Sequence, residues 1–543
     1  MSVSCRTVLY CSTAVFLLLG ALFCLKPGAV WITDNGNKYI MMRHFAQGGG
    51  KIIPHAVPEL FPTGGFHFIK VPEGAVSFYL PYLSALTAPF YKAAGERGAL
   101  VFPLCATLLL LGLAWKYWNI PPPLLLLSTP LFFYSLVLWE MTPGACLVLG
   151  ALLLTAGKNF VLAGFLLGVS LLMREEGYFV CAALGGALLL TGRFRETGTF
   201  LAGFLGAALP LWVCQWISDG HFLGHHGKMY YLNNNEHFSL TGQMKVVFFN
   251  FFHHLFRFDG WGASKLNFLA WSALLPLAAG AFPRFKGGVK VKYAAVAIYL
   301  VCMAFLAAGV WFQKDIIFTA SLLTGLFTAT PAVVGFMISW RPFLKEKRFR
   351  GMTLFILLYT AAVPVLMTAS DIGLVWGSRH FLVLLPPLIY LSMRGFRLSF
   401  GKRRGRLIFA AAAAVSIAIQ LFGLYALERV SSDSFAVEKN LLARREKVIV
   451  TDVFYIPEQM PRLFFEKTVL QVVTQQDAAR FKAYLKENKI KNVLLVLSPR
   501  FRRMDDAVLK EVLTVCPLTA PPEKLTGTSG FPDLFAGTLQ SQQ

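Results

Sequence analysis

Apolar runs of roughly twenty residues, parted by short polar breaks, recur from Thr7 to Leu427. Each is about long enough to cross the roughly 30 Å hydrocarbon core of a bilayer as a helix. The pattern predicts about thirteen spans: Thr7–Leu25, Ala99–Trp115, Pro122–Leu138, Pro143–Gly157, Phe160–Met173, Gly177–Leu190, Thr199–Ile217, Leu266–Phe282, Lys292–Phe312, Ile316–Ile338, Met352–Ser370, Phe381–Met393 and Leu407–Leu427. The strict alternation of barrel strands is absent. Two polar stretches interrupt the series, Lys26–Gly98 and roughly Ser218–Lys265. The first is expected to hold two helices lying at the membrane surface. One is in "NKYIMMRHFAQGG", where Tyr39, Met42 and Phe45 recur at helical spacing. The other is in "VSFYLPYLSALTAPFYKAAG", where Pro81 and Pro89 would kink a span.

Beyond Glu428 the period changes. "KVIVTD" and "KNVLLVL" predict buried strands, and "QDAARFKAYLKENK" and "MDDAVLKEVL" predict amphipathic helices. The expectation is therefore a polytopic α-helical membrane domain over 1–427, with 26–98 as its first outer loop, followed by a small α/β domain over 428–543. No glycine-rich phosphate loop or catalytic triad marks that tail.

Composition agrees with the pattern. Of the 543 residues, 56% are hydrophobic and only 15% are charged, too apolar a balance for a soluble chain of this length. The formal net charge of +23 would suggest nucleic acid in a soluble protein. Here the cations gather in short loops: Arg284 to Lys292, Arg341 to Arg350 and Arg394 to Arg406. With the N-terminus in the cytoplasm these loops fall inside, as the positive-inside rule requires, and no nucleic-acid partner is expected. The tail is then expected outside the cytoplasm, periplasmic if the cell is Gram-negative and extracellular otherwise. Thr7–Leu25 follows Arg6 and has no small-residue cleavage site after it, so it is expected to stay as the first span of a plasma or inner membrane protein. Every cysteine but Cys516 lies in or beside a span, and no paired spacing predicts a disulfide framework or a zinc site.

Charged residues cluster at the expected outer ends of spans. "WITDNGNKYIMMRHF" places Asp34 and Lys38 after the first span, "YSLVLWEMTP" places Glu140 after the third, and "LLMREEGYF" places Arg174, Glu175 and Glu176 after the fifth. Asp371 and Arg379 flank "IGLVWGS". Ionisable groups at membrane depth cost about 2.5–3.5 kcal/mol each on insertion scales, so they pair or line a cavity. A carboxylate there can take a proton from a hydroxyl or amine, and an arginine can hold a phosphate and stabilise it as a leaving group. The histidines of "GHFLGHHGKMYYLNNNEHF" and "FFHHLFRFDGW" fit no zinc spacing.

These segments resemble the GT-C superfamily of membrane glycosyltransferases, in particular glycosyltransferase family 39, which includes protein O-mannosyltransferases and is similar to aminoarabinose transferases. The resemblance covers the membrane part, Thr7 to about Leu427. It implies a GT-C fold and transfer of a sugar from a polyprenyl-phosphate donor to a lipid, glycan or protein acceptor on the outer face. It implies Asp34 in "TDNGNKY" and Glu140 in "LWEMTP" as the catalytic acids. Arg174, Arg379 in "WGSRHFLVLLPPLIYL" and Lys38 would bind the donor phosphate, with Asn35, Asn37, Tyr39, Tyr79 and His226 as contacts to donor or acceptor. Asn35 stands where many members carry a second acid, so no metal or other cofactor is expected. Membrane lipids are the other partner. Two different functions remain open: a transporter or flippase of lipid-linked sugars, which would show broken helices and internal symmetry, and a non-catalytic membrane scaffold whose tail binds a partner.

Overall fold

The computed structural model describes residues 5–26, 28, 30–62, 68–223, 255–256, 267–281, 288–312, 323–366, 376–377, 379–453, 455–498, 504–525 and 534–541. His226, His225, His237, His253, His254, Lys314, Asp315 and Asp371 lie outside the described residues. By internal contacts the chain forms two compact units. The first gathers Met1–Leu22, Phe102–Gln313 and Phe318–Tyr425; the second gathers Phe23–Val101 and Ala426–Gln543.

The first unit is helical. Among the described residues of the whole chain, six helices are long and apolar enough to cross a membrane: Cys5–Cys24, Val101–Trp118, Phe194–Asp219, Gly288–Trp311, Arg379–Phe400 and Lys402–Ala443. Shorter apolar helices, Met141–Ala156, Phe160–Ser170 and Gly177–Leu190, lie among them. The protein is thus a helical integral membrane protein. Four expected spans are not continuous α-helices, Phe381–Met393 among them because it starts within the 3-10 turn Arg379–Leu384 and continues in the α-helix Leu385–Phe400. Residues 122–138 form Pro122–Leu127 and Leu131–Ser135, parted at Pro130. Residues 267–281 pass through a 3-10 turn, Trp271–Ala273. The described part of 316–338 breaks at Pro331 into Leu326–Ala329, a 3-10 turn and Val334–Met337. A prolyl nitrogen has no hydrogen to donate and its ring clashes with the preceding turn, which accounts for the breaks at Pro130 and Pro331.

Glycines set the closest helix packing in this unit. A Cβ on Gly164 would lie 1.9 Å from the Phe200 carbonyl oxygen, and one on Gly203 would lie 2.0 Å from that of Val161. Helices Phe160–Ser170 and Phe194–Asp219 therefore meet backbone to backbone, as small residues permit in membranes, where lipid offers little hydrophobic drive for helix association. Gln420, midway along an apolar run, accepts from Trp376 Nε1 at 3.0 Å and donates to the Ala329 carbonyl at 2.6 Å.

The second unit joins two stretches distant in sequence. In the first stretch, β1 (Ile52–Pro54), β2 (Phe68–Val71) and β3 (Gly74–Ser77) form an antiparallel sheet of order β1-β3-β2. In the second, β4 (Val448–Thr451), β5 (Thr468–Gln471), β6 (Asn492–Leu497), β7 (Glu523–Leu525) and β8 (Leu534–Gln540) form a mixed sheet of order β5-β4-β6-β8-β7. The parallel pairs β4–β5 and β4–β6 and the fully apolar strand interiors belong to a sheet covered on both faces. Helix Gln475–Glu487 starts at a reciprocal cap: Thr474 Oγ1 accepts from the Asp477 amide, and Asp477 Oδ2 accepts from that of Thr474. Helix Asp506–Val515 starts where Asp505 Oδ1 accepts from the Val508 amide.

The stretch 26–98, expected as an outer loop of the membrane domain, shares its core with the tail. Leu60 belongs to the cluster of Val448, Val450, Leu470, Phe481 and Leu495. Phe464 and Phe465 pack on the cluster of Ile40, Met41, Phe61 and Phe68. Burying one such aromatic or aliphatic side chain contributes about 1.5–3 kcal/mol, more than a surface position offers. The same force corrects the interfacial reading of the first helix. Thr33–Ala46 buries every residue from Asp34 to Met42. The second expected surface helix forms over Tyr82–Gly98 and does leave Leu86 and Phe90 exposed.

Candidate functional site

In the membrane unit, four charged or titratable side chains converge from three segments. Arg174 follows helix Phe160–Ser170, Glu176 caps helix Gly177–Leu190, Glu140 precedes helix Met141–Ala156, and His380 lies in the 3-10 turn Arg379–Leu384. Arg174 faces Glu176 through two donors, Nε to Oε2 at 2.7 Å and Nη2 to Oε1, and its Nη1 lies 3.6 Å from Glu140 Oε1. His380 Nδ1 is 2.7 Å from Glu176 Oε1, and Arg379 Nε donates to His380 Nε2 at 3.1 Å.

Those two contacts define the state of the imidazole. An arginine nitrogen can only donate, so Nε2 accepts and the ring proton sits on Nδ1, from which it is donated to Glu176. Burial alone pushes the Glu176 carboxyl up, but Arg174 opposite it and the His380 hydrogen bond hold it well below the usual carboxylate range. The Arg379 guanidinium carbon lies 5.6 Å from the centroid of the buried Trp139 ring, within cation–π range. Tyr359 donates to the His380 carbonyl at 2.8 Å. The plane of Arg379 is thus set by a neutral histidine that an anion holds in turn. A planar guanidinium oriented in this way is suited to a phosphate.

In the second unit, Asp34 stands in the first turn of helix Thr33–Ala46, where the helix dipole favours an anion. Its neighbours are structural as well as polar. Asn35 Oδ1 accepts from the amides of Trp31 and Ile32 at 3.1 and 2.9 Å, holding the entry to the helix. Asn37 Oδ1 accepts from Ser77 Oγ at 2.7 Å, tying the helix to β3. Lys38 Nζ lies 4.0 Å from the centroid of the Tyr79 ring and 3.5 Å from the Asp34 carbonyl oxygen. Tyr39 is buried and borders a small polar cavity with Arg43, Tyr91, Glu96, Glu438 and Arg462. In that cavity wall Arg462 makes two 2.6 Å hydrogen bonds to Glu96.

Of the expected site residues, Glu140, Arg174 and Arg379 meet in one network of the membrane unit, and Asp34, Asn35, Asn37, Lys38, Tyr39 and Tyr79 lie together around one helix of the other. Sequence reading singled out "REE" without giving Glu176 a partner, and it passed over His380. The adjacency of His380 to Arg379 was the signal available. Glu458 was missed altogether: it is fully buried in helix Ile456–Gln459, and neither of its carboxyl oxygens has a hydrogen-bond partner among the described residues.

Fold and site together define a class: a helical integral membrane protein with an arginine–carboxylate–histidine centre among its apolar helices and an α/β unit built from two distant stretches. Among solved structures, the chain is similar to ArnT from Cupriavidus metallidurans bound to undecaprenyl phosphate, at 14% identity and a TM-score of 0.44, covering 97% of each chain. No family model matches the chain, and no curated protein matches it.

Proposed function

We propose that the protein is a glycosyltransferase that moves a sugar from a polyprenyl-phosphate donor to a hydroxyl or amine acceptor at the outer face of the membrane. The observation that carries the reading is the Arg379–His380–Glu176–Arg174 network. An oriented guanidinium pair buried among apolar helices suits a phosphate whose lipid tail must remain in hydrocarbon.

The chemistry follows from the donor. The acceptor oxygen or nitrogen attacks the anomeric carbon, a new glycosidic bond forms, and the bond from that carbon to the phosphate oxygen breaks. The phosphate leaves with one more negative charge than it had as a diester, so cations placed at it stabilise the transition state more than the ground state. Arg379 and Arg174 serve that charge. The acceptor proton passes to a carboxylate, for which Asp34 is the candidate. Glu140 balances Arg174, and Lys38 and Tyr79 flank Asp34.

The test uses purified protein in lipid nanodiscs with a panel of polyprenyl-phosphate sugars and acceptors, following release of free polyprenyl phosphate. Release from one donor, lost in Arg379→Ala and in Asp34→Asn, is the expected result. Release that survives both substitutions overturns the assignment. A second reading, translocation of a lipid-linked sugar, draws support from the interrupted helices at 122–135 and 326–337. It requires that a labelled donor cross a proteoliposome membrane with its phosphate bond intact.

A further inference from the structure

The densest charge in the membrane unit has no part in the transfer chemistry. Arg394, Arg397, Lys402, Arg403, Arg404 and Arg406 surround the turn that joins helix Leu385–Phe400 to helix Lys402–Ala443. The sequence holds no acid between Asp371 and Glu428. Among the described residues, none of the six pairs with a carboxylate. All are exposed except Arg397, which is half-buried. Packing keeps these cations together. A Cβ on Gly405 would lie 2.5 Å from the Phe396 carbonyl oxygen and 2.9 Å from the Arg397 nitrogen, so the two helices meet backbone to backbone beside the turn. The charges felt at Arg397 are those of Arg394 and Arg406. Tyr293 of helix Gly288–Trp311 meets Phe400 edge-on at 5.9 Å, which sets Lys290 and Lys292 at the same end of the bundle. Lys402, Arg403 and Arg404 also stand in the first turn of a 42-residue helix, where the helix dipole favours anions and disfavours cations.

Like charges held together in this way call for a counter-anion, and the described residues supply none. The anion must come from outside the chain. Arg379 and Arg397 lie near opposite ends of Arg379–Phe400, a helix long and apolar enough to cross a membrane. At 1.5 Å per residue, about 27 Å of helix separates them. The patch is therefore distinct from the Arg379 network and sits at the other membrane surface. Leu398 and Leu407 border the cations and are 56% and 66% exposed. A free phosphate or a nucleic acid would use the charge alone, whereas a phospholipid uses both the charge and the leucines beside it. We propose that this turn binds an anionic phospholipid of the leaflet opposite the Arg379 network. The arginines hold the headgroup phosphate, and the acyl chains lie along Leu398 and Leu407. The proposal does not rest on the transferase reading.

Native mass spectrometry of the full-length protein in detergent, with phosphatidylglycerol or phosphatidylcholine added in equal amounts, counts the lipid bound. Wild type is expected to prefer phosphatidylglycerol. The triple variant Arg397→Gln, Arg404→Gln, Arg406→Gln is expected to bind it at least about tenfold more weakly, because each cation near an anionic surface contributes about fivefold. The triple variant Arg341→Gln, Lys345→Gln, Arg348→Gln removes the same charge from another basic loop and is expected to match wild type. Unfolding temperatures in phosphatidylcholine nanodiscs check that both variants fold. A second measurement needs no variant: phosphatidylglycerol with a photoactivatable headgroup is crosslinked to wild type, and the label is expected within 394–410. No preference in wild type overturns the proposal, as does a label found only elsewhere. Equal losses in the two triple variants assign the effect to net charge and overturn it too. Displacement of the lipid by millimolar inorganic phosphate assigns the site to the free anion, with the same consequence.

Discussion

His380 donates from Nδ1 to Glu176 at 2.7 Å across 204 positions of sequence, and the same ring accepts from Arg379 on its other nitrogen. The imidazole is a rigid spacer with one polarity: donor toward the carboxylate, acceptor toward the guanidinium. Replacing it with phenylalanine removes both contacts and keeps a planar ring in the site.

His380→Phe is therefore expected to cost about 1–3 kcal/mol, the range for leaving buried polar partners unsatisfied. Thermal unfolding in nanodiscs measures this. Release of polyprenyl phosphate is expected to fall at least tenfold, because Arg379 loses the acceptor that sets its plane. A stability loss with full activity would separate Arg379 from the phosphate.

Gly36 cannot take a side chain without moving the Glu458 backbone, and backbone yields far less readily than a flexible side chain. Gly36→Ala is expected to destabilise the second unit by at least about 2 kcal/mol, at the upper part of the range for overpacking. Limited proteolysis between 447 and 540 is the readout, with faster cleavage than wild type expected.

The glycine contact in the membrane unit gives a parallel case. Gly164→Val and Gly203→Val each drive a side chain into the facing backbone. Each is expected to lower the yield of folded, monodisperse protein severalfold in detergent. Gly198, with nothing near its Cβ position, is the control: Gly198→Ala is expected to behave as wild type.

Glu438 supplies a pH dependence. It lies beyond the apolar stretch that ends at Leu427, within the second unit, and Oε1 accepts from the amides of Arg462 and Leu463 at 2.9 and 3.3 Å. Burial pushes its carboxyl up to about 7, although the amides and Arg462 oppose the shift. A raised folded value means the folded state binds the proton more tightly than the unfolded chain. The stabilisation is then complete below about pH 4.5, declines as pH rises through about 7, and is absent above, a change on the order of a few kcal/mol. Glu438→Gln should flatten that part of the stability profile, as measured by unfolding of the second unit between pH 5 and 8. An unaltered profile would place the titration elsewhere.

Much of the membrane unit was legible because lipid imposes one rule, an apolar helix. The span Gly177–Leu190 was read from hydropathy with the bounds it has in the structure. The tail strands at 448–451 and 492–497 were legible as short apolar runs, and Arg174, Glu140 and Arg379 as charges where charge is expensive. What could not be read depended on distant partners. β1, β2 and β3 are short and find their register only in one another. The burial of helix Thr33–Ala46 depends on Phe464 and Phe465, more than four hundred residues downstream. Glu458 sits in "YIPEQMP", which reads as a polar turn, and its burial follows from its packing against Gly36. Hydropathy carries no trace of a partner, so residues that act through long-range contacts were the ones missed.

The order of strands in the larger sheet bears on how the protein is made. β8 follows β4, β5, β6 and β7 in the chain, yet it pairs on one side with β6 and on the other with β7. A polypeptide leaves the ribosome N-terminus first, so until residues 534–540 emerge, β6 ends in an open edge and β7 has nothing to join. The helices of the membrane unit are synthesised before that point. Completion of the α/β sheet is therefore a late event in biosynthesis, and the unpaired edge of β6 is exposed to aggregation or chaperone capture in the interval.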